Sequence, residues 1–310
     1  MQYKIIDSHC DTITRIEDNN LSFYDNDITH ITLNKLLKSN VKIQFMAVYI
    51  DYTIPFPDSY FKAIGYINKL YEYEKNTNNL KIIKNKSDLD YVMNNDNIIG
   101  IIISIEGAHI IDDHIEITKS LNLLGVKSLT LTWNYKNKVA CGTMESIDSG
   151  LTDFGKSVIN NMNNMNMIID VSHSSYKTFY DVLKLTKQPI IASHSLSNYI
   201  NEHKRNLTDD QIRAISNING VIGINFYEEF VGKNKNIPSL VDHIERIVNI
   251  GGYKCIGFGS DFDGCKVINP LKDCTYLYLI IDELLKRNYK NDFIEKICYK
   301  NYLDLLSKFY

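Results

Sequence analysis

Ile98-Ile99-Gly100-Ile101-Ile102-Ile103-Ser104-Ile105-Glu106-Gly107 is the most apolar stretch of the chain, and it ends on a carboxylate. It is too short for a membrane helix, which needs roughly 18–20 apolar residues. It also lacks the alternation of a strand with one wet face. A β-branched run of this kind reads as a strand buried on both faces, as in a parallel sheet. Seven more short apolar runs occur at residues 4–7, 42–50, 128–132, 167–171, 189–192, 221–225 and 255–259. Amphipathic stretches lie between them. Tyr60, Ile64, Ile67 and Tyr71 share a helical face, as do Leu240, Ile244, Ile247 and Val248. Thr208-Asp209-Asp210-Gln211 reads as a capping box opening another helix. The long interval 51–97 is expected to hold a helix over 59–75, an Asn-rich turn and a second helix over 87–94. Strand and helix alternating eight times in 310 residues predict an α/β fold, a (β/α)8 TIM barrel. A doubly wound open sheet is the rival. No linker rich in Pro, Gly or Ser divides the chain, so residues 1–310 read as one domain.

Composition narrows the function classes. Hydrophobic residues make up 44%, enough for a large core and too many for a disordered chain. Lys and Arg number 34 against 37 Asp and Glu, which leaves no basic footprint for nucleic acid. The six cysteines are scattered without a CxxC pair, so neither a zinc ribbon nor a redox motif is readable. Reduced thiols, no signal-peptide core and no lipidation motif lead to the expectation of a cytoplasmic protein with no membrane partner. The Met residues of 160–167 read as packing rather than as ligands.

The polar residues fall at the ends of the apolar runs. One run leads into Asp7-Ser8-His9-Cys10-Asp11, another into Glu106, and others into Asp170-Val171-Ser172-His173, Ser193-His194-Ser195 and Gly259-Ser260-Asp261-Phe262-Asp263-Gly264. A barrel gathers these C-terminal ends at one mouth, where barrel enzymes place their chemistry. A single histidine at a strand end is most often a satisfied loop residue. Five ends, each with an imidazole or a carboxylate, reverse that balance, because clustered buried carboxylates need cations. Nitrogen and oxygen donors without thiolate suit Zn²⁺ and admit Mn²⁺, Fe²⁺ or Co²⁺. His9 and Asp11 can turn onto one metal, His173 and His194 can grip a second, and Glu106 is the natural bridge. A water shared by two such ions would act as hydroxide at neutral pH, with Asp261 as general base turned acid. Hydrolysis of an amide or a related bond is the chemistry this set favours.

These motifs, together with Ile105-Glu106-Gly107-Ala108-His109 and Arg205-Asn206-Leu207, resemble the membrane (renal) dipeptidase family of binuclear zinc peptidases. The motifs appear in family order from about Ile6 to Asn301. The resemblance implies an amidohydrolase-like barrel with two Zn²⁺ ions. His9, Asp11 and Glu106 would bind one, and Glu106, His173 and His194 the other. It further implies that Arg205 pairs with the C-terminal carboxylate of a dipeptide, that Asp261 moves the proton, and that a C-terminal D-residue is tolerated. A guanidinium fork suits a carboxylate and helps exclude longer peptides. The small-molecule partner is therefore a dipeptide, and a homodimer is compatible with the family habit. Tyr227 is a candidate for the pocket wall. One departure stands out: vertebrate members carry a His after the Leu-Thr-Leu-Thr run, whereas Leu129-Thr130-Leu131-Thr132 is followed here by Trp133 and Asn134. Trp133 and Asn134 are candidates for substrate contact, with Asn134 or Asn137 as a replacement donor. Competing readings are a related barrel hydrolase of a lactam, cyclic amide or ester, and a metal-binding barrel without catalysis.

Overall fold

The computed structural model describes residues 3–310. Nine strands occur among them: β1 (Ile5–Asp7), β2 (Val41–Tyr49), β3 (Leu80–Ile82), β4 (Ile99–Glu106), β5 (Val126–Thr130), β6 (Ile168–Asp170), β7 (Ile191–Ser195), β8 (Val221–Ile224) and β9 (Ile256–Phe258). Eight of them close in the order β1-β2-β4-β5-β6-β7-β8-β9, because β2 pairs both β1 and β4 while β1 pairs β9. Every pairing is parallel. The closed (β/α)8 TIM barrel is the expected fold, and the open sheet is excluded.

β3 is the element that the apolar pattern does not reveal. It pairs with Ile99–Ile101 of β4, opposite the edge taken by β2, and β5 takes over that edge from Ile103. The helices flanking it, Asp58–Lys75 and Lys86–Asn94, stand where they were expected. The face buried by the first is shifted by one position: Ala63, Tyr66, Ile67 and Leu70 are covered, while Tyr60, Ile64 and Tyr71 stay half-exposed. The helix Asp209–Asn217 opens on the full capping box, with Gln211 N donating to Thr208 Oγ1 and Thr208 N donating to Gln211 Oε1. Met162 and Met167 are buried packing residues.

Two apolar layers hold the barrel. Most of the core lies between strands and outer helices. A second cluster, with Ile6, Phe45, Ile102, Ile168 and Val221, fills the lower barrel and meets Tyr302, Leu306 and Phe309 of the last helix. Tyr302 is fully buried and donates to Ser8 Oγ at 2.6 Å, so its one polar atom is satisfied while its ring plugs the barrel. Gly257 makes the room, since a Cβ there would lie 2.4 Å from the Tyr302 ring. With the bottom closed, the mouth is the open end. No helix among the described residues is long and apolar enough to cross a membrane.

Candidate metal centre

Past β1 the chain stays extended beside the continuation of β9, with Asp11 N donating to Phe262 O at 2.9 Å. This places His9 and Asp11 at the mouth before the helix Thr12–Asn19 turns away. Glu106 is the last residue of β4, and His194 lies within β7. His173 and Asp261 follow β6 and β9 in left-handed backbone, at φ 65° and 61°. Non-glycine residues adopt that conformation uncommonly, and Asp and His are among those that tolerate it.

The side chains converge. His173 Nε2 lies 2.9 Å from Glu106 Oε1 and 2.9 Å from His194 Nε2, and His194 Nε2 is 3.6 Å from the same carboxylate oxygen. The other Glu106 oxygen faces His9 Nε2 at 3.8 Å, which is also 3.4 Å from Asp11 Oδ2 and 4.0 Å from Asp261 Oδ1. Three sets of donor atoms are close enough to share an ion: Glu106, His173 and His194; His9, Asp11 and Glu106; His9, His194 and Asp261.

The outer hydrogen bonds fix which imidazole nitrogens face inward. Ser193 Oγ spends its one proton on Asp170, so toward His194 it is the acceptor of the Nδ1–H, at 2.8 Å. His173 Nδ1 likewise meets Asn134 Oδ1 at 2.9 Å. Both histidines therefore present bare Nε2 lone pairs to each other, an arrangement that repels unless a cation sits between them. His9 Nε2 and Asp11 Oδ1 are buried without partners. Burial acts against the charge on His9, yet Glu106 and Asp11 outweigh it and lift the imidazole to about 10. Burial and Asp11 push Glu106 well above the usual carboxylate range, and burial raises Asp261 to about 6. Burial holds His173 and His194 well below the usual imidazole value, aided by the charges of Arg205 and His9. His9, Glu106 and Asp261 thus sit among closely packed buried carboxylates, while His173 and His194 are held neutral with lone pairs to give, so divalent cations fit the residues present.

The remaining candidates line a cavity of about 940 Å³ above this cluster. Arg205 is buried; its Nη2 donates to His194 O at 3.3 Å and its Nε has no partner. Burial lowers its guanidinium to about 10, against the pull of Asp261 and Glu106. Tyr227 and Trp133 both line the cavity. Asn134 lines it too, but with its carbonyl committed to His173. Asn137 does not offer the expected donor: its amide donates to Leu131 O and accepts from Val139 N and Ala140 N, which holds the loop together. Sequence reasoning missed the supports. Asp7 accepts from Ser260 Oγ and N, Asp170 from Ser193 Oγ and N and Ser172 N, and Asn225 Nδ2 donates to Asp261 Oδ2 at 2.9 Å. Their nearness to the strand-end motifs was the available signal.

A closed parallel barrel whose mouth gathers histidines around a shared carboxylate defines a metal-dependent barrel hydrolase. The family model for membrane dipeptidase, peptidase family M19, matches residues 1–309, so the chain belongs to the membrane dipeptidase family and is a metallo-dipeptidase. It is 30% identical over 333 residues to an uncharacterized dipeptidase of Schizosaccharomyces pombe, covering 98% of this chain and 80% of that one. A metallo peptidase from Rhodobacter sphaeroides, solved with a phosphinate mimic of the dipeptide L-Ala-D-Ala, superposes with TM-score 0.95 at 21% identity, covering all of both chains. The probable dipeptidase PvdM from Pseudomonas aeruginosa superposes with TM-score 0.90 at 19% identity, over 99% of this chain and 95% of that one.

Proposed function

We propose that residues 1–310 form one catalytic domain that hydrolyses dipeptides with two Zn²⁺ ions. His9, Asp11 and Glu106 would hold one, and Glu106, His173 and His194 the other. The observation that carries this reading is the division of Glu106, with one oxygen toward His173 and His194 and the other toward His9. Such a metal pair supplies Lewis acidity, which acidifies water and polarises a carbonyl oxygen. The chain supplies the rest. Arg205, with a free buried Nε, receives the C-terminal carboxylate and fixes the length of the substrate. Asp261, anchored by Asn225 and lifted to about 6 by burial, takes the proton of the attacking water and passes it to the leaving amine. A C-terminal D-residue belongs to the proposal, supported by the L-Ala-D-Ala mimic bound by the Rhodobacter sphaeroides protein. A cytoplasmic setting is supported by six free cysteines.

The test is metal analysis of the purified protein together with a panel of L,L- and L,D-dipeptides and tripeptides. We expect two zinc equivalents per chain and release of amino acids from dipeptides alone. Full metal occupancy without dipeptide turnover would sink the reading.

A further inference from the structure

One wall of the cavity has no part in the hydrolytic chemistry. Tyr49 closes β2 and Trp133 follows β5; their ring centres lie 5.5 Å apart, and both line the cavity with Met144. Trp133 is braced from behind, stacked on Tyr52 at 5.3 Å and meeting Tyr135 edge-on at 6.1 Å. Its backbone is equally fixed. A Cβ on Gly142 would lie 2.6 Å from Trp133 O and 2.5 Å from Asn134 O, so the two loops are in direct contact. Met144 N donates to Asn134 O at 2.9 Å, and the Asn134 side chain is tied to His173. The indole is thus a pre-set surface rather than a mobile one, which lowers the cost of binding against it.

The position of the wall follows from the strand order. In the ring of eight, β2 stands four places from β7 in either direction, so Tyr49 lies across the mouth from β7. Arg205 is bound to the backbone of β7 through His194 O. Trp133 leans from β5 toward Tyr49. A dipeptide with its carboxylate on Arg205 and its peptide bond at the metal cluster therefore extends its N-terminal residue toward Tyr49 and Trp133. The geometry points to this wall as the subsite for the N-terminal side chain, and to dipeptides with an aromatic or large aliphatic N-terminal residue as the preferred substrate class. Tyr49, Trp133 and Met144 offer broad apolar area and no charge, which suits ring stacking. The inference rests on the dipeptidase reading and on the carboxylate role of Arg205.

The experiment measures kcat/KM for Phe-Ala, Leu-Ala, Ala-Ala, Asp-Ala, Lys-Ala and Ala-Phe with the zinc-loaded enzyme, its Trp133→Ala and Trp133→Phe variants, and Tyr52→Ala. We expect Phe-Ala to exceed both Ala-Ala and Ala-Phe by about 10-fold or more. Trp133→Ala should collapse the Phe-Ala to Ala-Ala ratio about 10-fold, Trp133→Phe should restore most of it, and Tyr52→Ala should lower it by a smaller factor at unchanged metal content. Turnover of all the dipeptides without N-terminal preference overturns the subsite and leaves the dipeptidase reading standing. So does a preference for Ala-Phe or Lys-Ala, or a ratio indifferent to Trp133. No turnover of any dipeptide fails the underlying reading instead.

Discussion

Asp261 combines three features that rarely meet in one carboxylate: left-handed backbone, an amide donor on one oxygen, and the imidazole of His9 at 4.0 Å from the other. A residue held that firmly is aimed, and removal of its basicity should separate chemistry from metal binding. Asp261→Asn keeps the shape and the oxygen but cannot take a proton. We expect kcat to fall by roughly 10²–10⁴-fold while bound metal stays within a small factor of wild type. Loss of metal in step with activity would recast Asp261 as a ligand, a role that its place beside His9 and His194 makes concrete. At this scale the sequence displayed the donor types and hid the angles. His9, Glu106, His173 and His194 were legible because each ends an apolar run. The positive φ of His173 and Asp261, and the use of Asn134 to fix an imidazole tautomer, depend on contacts 39 or more residues away in the chain or on local strain. Neither leaves a periodic trace.

The strands bring these residues together only because glycines let β7, β8 and β9 approach closely. A Cβ on Gly259 would lie 1.8 Å from Ser193 O, and one on Gly223 would lie 2.0 Å from the same oxygen. Ser193 carries the hydrogen bond that orients His194, so overpacking at Gly259 reaches this proposed metal ligand through the backbone of β7. We expect Gly259→Ala to destabilise the fold by roughly 1–3 kcal/mol and to weaken metal binding. The exposed helical Gly65 has nothing within 4 Å of its Cβ position, and Gly65→Ala should instead stabilise by roughly 0.5–1 kcal/mol. Thermal melts and metal titrations of the two variants check both signs. The eight barrel strands were readable because strands covered on both faces carry apolar, β-branched runs. β3 was not: Leu80-Lys81-Ile82 stands outside the ring, its lysine stays half-exposed, and it pairs only with the start of β4. Such an edge segment is specified by its partner rather than by its own pattern.

The whole molecule carries a histidine that serves the fold rather than the site, and it sets a pH limit. His243, on the helix Ile237–Gly251, is fully buried; its Nδ1 accepts from Ser197 N at 3.1 Å and its Nε2 donates to Val231 O at 3.2 Å. It thereby joins the loop after β7 to the segment after β8, both of which feed the cavity. Burial lowers its imidazole to about 4, outweighing the acceptor carbonyl of Val231 and the charge of Asp242. In the unfolded chain it titrates near 6.5. Between those values the unfolded state binds the proton and the folded state does not, so stability is complete above about 6.5 and is lost as the pH falls toward 4. A shift of this size corresponds to roughly 3 kcal/mol by pH 4. His243→Gln retains an acceptor and a donor but cannot titrate. Denaturant unfolding at pH 7.5 and pH 4.5 should show the variant less stable than wild type at the higher pH, with a visibly smaller drop between the two. Equal drops in both proteins would mean that the acid sensitivity does not reside in this joint of the scaffold.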